Sequence, residues 1–206
     1  MRREPSRARQ AGFKIALFFV CLVPMAQLVW RAVANSLGAN PVEAVQHSTG
    51  WWTLSFLLIT LAVTPLRHWT GFGWLLRCRR MLGLFAFFYA CTHFTTYVWL
   101  DVWFDLATVA KDVYKRPFIT VGFSALVLLV PLAATSTQAM QRRLGRGWRA
   151  LHRLAYVVPV LGVLHFWWVV KRDIREPLAF AVVLALLLGV RLVQHRAKAG
   201  QGPESR

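Results

Sequence analysis

The chain has 206 residues, 57% of them apolar, with ten tryptophans and a formal charge of +17. That composition excludes a single soluble domain, and the apolar residues fall in blocks separated by basic connections. Neither a G-x-G-x-x-G turn after a strand nor a P-loop occurs, which argues against a nucleotide-driven activity of the chain's own.

The first block, Phe13–Trp30, follows a basic N-terminal segment. It has the look of a signal peptide, but no small-residue cleavage site follows and further blocks do, so it predicts a retained first helix. The polar stretch LGANPVEAVQHSTG leads into Trp51–Leu66, and RHWTGFGWLLRCRR leads into Met81–Leu100. Phe118–Ala134, Leu154–Val170 and Pro177–Val193 complete the series. Each approaches the ~20 apolar residues of a membrane span, the second and sixth being short. In lipid such runs must be helices or a closed barrel, and a barrel strand would alternate over ~10 residues. These runs are continuous. The prediction is an all-α integral membrane protein, a six-transmembrane helix bundle at 13–195 between tails at 1–12 and 196–206. The first ten residues and the terminal AGQGPESR read as disordered.

Charge orients the bundle. Five Lys or Arg lie in the N-terminal segment, four in the second connection, five in the fourth with its helix start, and four at the C-terminal end. The other connections hold the remaining seven: Arg31, Lys111, Lys115, Arg116, Lys171, Arg172 and Arg175. The positive-inside rule then places both termini in the cytoplasm. Topology thus explains the charge without a nucleic-acid partner. Trp30, Trp51, Trp52, Trp99, Trp103, Trp167 and Trp168 fall at the outer ends, as an interfacial belt. Cys21, Cys78 and Cys91 form no C-x-x-C pattern and predict neither disulfide nor zinc.

Six histidines remain to be sorted. His195 and His68 read as interfacial, and His47 as a solvated loop residue with some claim to touch a substrate or partner. His93 lies thirteen residues past Arg80 and His165 twelve past Arg153, which puts both roughly 20 Å from the cytoplasmic edge. Their spans run in the same direction, so the two imidazoles can face each other across the bundle. A single intramembrane histidine more often makes a helix–helix hydrogen bond. Three of them, two at matched depth, favour axial ligation of haem iron from facing helices. His152 lies ~20 Å nearer the cytoplasm. Thirteen ideal steps turn a helix by roughly 220°, so His152 and His165 do not share a face unless Pro159 and Gly162 bend it.

At these residues the chain resembles the MsrQ (YedZ) family, over nearly its whole length. The resemblance rests on LGANPVEAVQHSTG, LLITLAVTPLR, RCRRMLGLFAFFYACTHFTTY, KRPFITVG and, above all, TSTQAMQRRLGRGWRALHRLAYVVPVLGVLHFWW. More distantly it is similar to the haem domains of NADPH oxidases and ferric reductases. The resemblance implies that His93 and His165 hold an outer haem b and that His152 supplies one ligand of an inner haem. The pattern departs at the other inner ligand, where Arg79 and Arg80 stand in place of histidine. Either one haem binds, or a second is held by His152 with an unusual partner. Arg79 and Arg80 are then expected to pair with haem propionates or lipid phosphates. The implied place is a bacterial inner membrane, and the implied role is electron relay to a periplasmic molybdopterin methionine sulfoxide reductase, MsrP. The quinone pool or a cytosolic flavin reductase would be the donor. FMN is implied by the resemblance alone. A ferric or quinone reductase-type cytochrome is the nearest alternative. A transporter is disfavoured because the eight acidic residues lie in loops or tails.

Overall fold

The computed structural model describes residues 6–170 and 173–200. The expected tail residues 1–5 and 201–206, together with Lys171 and Arg172, lie outside the described residues, as do the side chains of Arg7, His195 and Lys198. The described elements are α1 (Arg7–Val33), α2 (Pro41–Thr70), α3 (Leu76–Thr96), α4 (Leu106–Lys115), α5 (Pro117–Ala134), α6 (Gln138–Leu144), α7 (Arg146–Leu151), α8 (Leu154–Val169) and α9 (Arg175–Gly200). Among the described residues no strand occurs. Six helical segments are long and apolar enough to cross a membrane: α1, α2, α3 with its flanking turns, α5, α7 joined to α8, and α9. The chain is a multi-pass membrane protein.

Several helices run beyond their apolar blocks, and their caps show why. The Asn40 side chain accepts the Glu43 N–H, and Pro41 occupies the first turn, where its missing N–H costs nothing. So the stretch expected as a loop before the second span is helical from Pro41. The helix ends at Gly71, whose φ of +75° and N–H bond to the Arg67 carbonyl (2.9 Å) form a left-handed stop. At the N-terminus Ser6 caps α1, which makes residues 7–10 helical rather than disordered. At the other end α9 extends through Gly200. Two connections carry helices of their own, amphipathic α4 and the α6–α7 pair.

In packing, α2 lies most extensively on α3, and α5 on α8. Helix α9 covers α2 and α8, while α1 flanks α2 and α3. The core between α2 and α3 is aromatic, Phe56 stacking on Tyr89 at 5.2 Å and on Phe85 at 5.9 Å. Tyr89 is 1% exposed. Its hydroxyl donates to the Cys21 carbonyl (2.9 Å) and accepts the Met25 N–H (3.1 Å). A regular helix would pair those two groups with each other; here Pro24 lies between them and the tyrosine joins both. Trp51 and Trp52 also pack inward, on Phe180 and Phe56, rather than forming part of an exposed belt. Trp30 and Trp103 are exposed.

The two ends of the bundle differ in charge. Every Asp and Glu among the described residues belongs to the end formed by the starts of α2, α5 and α9. Not all of them are loop residues: Asp112, on α4, is 8% exposed. It accepts from the Tyr97 hydroxyl (2.8 Å) and pairs with Arg116 (3.2 Å). Tyr97 begins a widened turn, Tyr97–Asp101, that closes α3. Asp105 caps α4, and bonds from the Thr108 hydroxyl and the Thr108 and Ala107 amides hold its carboxyl below the usual range.

Tyr89→Phe leaves the Cys21 carbonyl and the Met25 N–H without their partner. It is expected to destabilise the protein by about 1–3 kcal/mol, read as a lower thermal midpoint in detergent.

Candidate functional site

His93 sits in the last turn of α3 and His165 just before the last turn of α8, both at the acidic end. Their ring centroids are 6.2 Å apart, with planes crossing at 78°. Each ring is held the same way. His93 Nδ1 donates to the Gln46 carbonyl of α2 at 3.1 Å, and His165 Nδ1 donates to the Phe118 carbonyl of α5 at 2.7 Å. That tautomer leaves both Nε2 lone pairs for a ligand. Four residues after each carbonyl stands a glycine, Gly50 after Gln46 and Gly122 after Phe118. A Cβ on Gly50 would come within 3.2 Å of the His93 ring, and one on Gly122 within 2.7 Å of the His165 ring. The missing side chains open a notch through which each imidazole reaches its carbonyl. Thr49, fully buried, adds a contact of 3.1 Å from its Oγ1 to His93 Nδ1, while its own hydroxyl donates to the Val45 carbonyl at 2.8 Å.

The spacing suits one metal between two rings. A metal–imidazole bond of about 2.0–2.1 Å on each side, plus about 1.1 Å from nitrogen to ring centre, gives about 6.3 Å between centroids. Among the described residues no three His, Cys, Asp or Glu side chains cluster to hold a bare metal ion. Two facing imidazoles are donors that could hold the iron of a haem.

The other expected residues lie elsewhere. His152 is at the basic end, in the tight turn joining α7 to α8, where Ala155 N bonds the His152 carbonyl at 3.3 Å. Its Nε2 faces the Thr135 hydroxyl at 3.0 Å, and that hydroxyl donates to Pro131 (2.6 Å), so the histidine is the donor. The ring stacks on Trp148 at 4.0 Å. Because of this turn, the path from His152 to His165 is not thirteen ideal helical steps. Arg79 is half-buried and interacts electrostatically with His152, whereas Arg80 is exposed. His68 is exposed near the end of α2. His47 is in α2, not in a loop, with Nε2 3.1 Å from Glu176 and its ring 6.0 Å from Phe166. The sequence reading missed Gly50, Gly122 and Thr49, although the quoted HSTG and ITVG contain them.

Residues 49–163 match the family described as ferric reductase like transmembrane component. Relatives with the printed name protein-methionine-sulfoxide reductase heme-binding subunit MsrQ cover most of the chain. The one from Herminiimonas arsenicoxydans is 52% identical, covering 93% of this chain and 89% of the relative. The chain belongs to the MsrQ family. MsrQ relatives from Azospira oryzae (47% identical, covering 98% of this chain and 88% of the relative) and Ralstonia nicotianae (54%, covering 87% and 84%) agree. No solved structure matches the chain.

An alanine at 122 would force the His165 ring off its carbonyl. Gly122→Ala is therefore expected to weaken hemin binding by about tenfold, equivalent to the loss of one hydrogen bond, with a smaller effect for Gly50→Ala. Absorbance titration of haem-free protein checks both.

Proposed function

We propose that this chain is a haem b electron-transfer subunit of the bacterial inner membrane, serving a methionine sulfoxide reductase system. The observation that carries the reading is the pair His93 and His165, 6.2 Å apart, with both Nε2 positions free. The names of relatives about 50% identical over most of the chain support it. So do the notches at Gly50 and Gly122, which fit rings that must be held in one orientation.

His93 and His165 would hold the iron through Nε2, and haem would supply reversible one-electron chemistry when bound. The rest is done by the chain's own groups. The Gln46 and Phe118 carbonyls keep the Nδ1 protons, fix the tautomer and make each Nε2 more basic. Thr49 closes the space behind His93. In this reading the chain's residues bind and orient the group, and bond-making is left to the partner. The acidic end faces the periplasm by the charge bias, towards an MsrP-like molybdopterin reductase that returns methionine sulfoxide to methionine. The donor, on the basic cytoplasmic side, is the quinone pool or a flavin reductase. No residue is assigned to FMN.

The reading commits to one haem at the acidic end. At His152 the Nε2 is taken by Thr135, and among the described residues no second histidine faces the ring. Arg80, exposed at the basic end, suits a lipid phosphate.

The reduced-minus-oxidised spectrum of purified protein, with haem counted per chain, is the test. A six-coordinate b-type spectrum at about one haem per chain is expected. His93→Ala and His165→Ala are each expected to abolish it, while His152→Ala retains it. Colourless protein from haem-replete cells would refute the reading.

A further inference from the structure

Arg191 lies on α9 towards the basic end, yet it turns inward. Its Nη2 donates to the Leu61 carbonyl at 2.8 Å and its Nη1 to the Tyr156 hydroxyl at 2.5 Å, with the guanidinium 5.0 Å from the Tyr156 ring centre. Its Nε is buried without a partner. A guanidinium carries five N–H donors, so three remain unassigned. Arg79 of α3 interacts electrostatically with Arg191, adding like charge. Among the described residues no Asp or Glu lies at this end. Two half-buried cations without a counter-charge are unfavourable, and an anion relieves that.

A second feature adjoins the first. Helices α8 and α9 leave an apolar groove between them, lined by Val160, Val163, Leu164, Ala181, Leu184 and Ala185 among others. Its width comes from the two alanines, and it runs about 10 Å along the helices. Tyr156 is one turn before Val160, and Arg191 is one turn after Leu188, which also lines the groove. The groove therefore ends at Arg191. From Arg175 to Arg191 the helix rises about 24 Å, which sets Arg191 near the boundary of a hydrocarbon layer about 30 Å thick.

We propose that this is a site for an anionic phospholipid, its phosphate on Arg191 and Arg79 and one acyl chain in the α8–α9 groove. Charge decides the choice of lipid. A zwitterionic headgroup brings its own cation to a place that already has two, whereas an anionic one brings none.

Native mass spectrometry of the full chain, offered phosphatidylglycerol or phosphatidylcholine with identical chains, tests this. One retained phosphatidylglycerol is expected, with phosphatidylcholine lost. Arg191→Gln is expected to weaken retention about tenfold. Ala185→Phe fills the groove from an exposed position without touching a cation, and should weaken retention likewise even if Arg191→Gln fails to fold. Equal retention of the two lipids, or full retention in Ala185→Phe, would overturn the site. So would inorganic phosphate alone giving the whole thermal stabilisation that the lipid gives. Retention confined to haem-free protein would also overturn it, showing that carboxylates of a bound macrocycle take the place. Haem counted on the same samples keeps this result separate from the reading of His93 and His165, which does not involve Arg191.

Discussion

A histidine set among apolar helices must place its ring N–H on some acceptor, and the ordinary acceptors there, helix carbonyls, are already bonded and covered. Both rings at the acidic end meet this constraint in one way. A carbonyl has two lone pairs, and near the starts of α2 and α5 the second lone pair of Gln46 and of Phe118 is uncovered by a glycine four residues on. The rest of the site follows from that geometry. It fixes which nitrogen carries the proton, which nitrogen is free, and how deep α3 and α8 sit against α2 and α5. The two helix pairs so joined are also those with the most extensive packing in the bundle.

The same economy of polar groups recurs away from the site. Pro24 interrupts α1, and Tyr89 serves the two backbone groups on either side of the interruption. Arg191 serves the Leu61 carbonyl across α2. In α1 and α2, backbone groups near a proline are met by a side chain from a neighbouring helix. Stability and specificity of packing therefore rest on a few long-range hydrogen bonds within a largely apolar interior.

Much of this was legible in the sequence. Six continuous apolar blocks implied six helices, and helical rise placed His93 and His165 at one level; they are in ring contact. Helix ends were not legible from hydropathy, since α2 starts where Asn40 and Pro41 cap it, ten residues before Trp51. His47 was misplaced in a loop for that reason. Gly50, Gly122 and Thr49 carry no signal alone, because their role depends on a ring from another helix. Arg191 was counted as one more basic residue at the C-terminal end, for nothing local says that it turns inward. The orientation of His152 is likewise set by Thr135 and Trp148, on other elements.

One turn beyond His93, Tyr97 is bonded to Asp112, and Arg116 holds that buried carboxylate from the other side. Helix α4 is thereby fastened to the turn that closes α3, and lifting it would take a half-paired carboxylate from its partners. Were the ring pair to hold the redox centre proposed for it, such fastening would limit how far its surroundings relax when one electron is gained or lost, which is what a small reorganisation energy means.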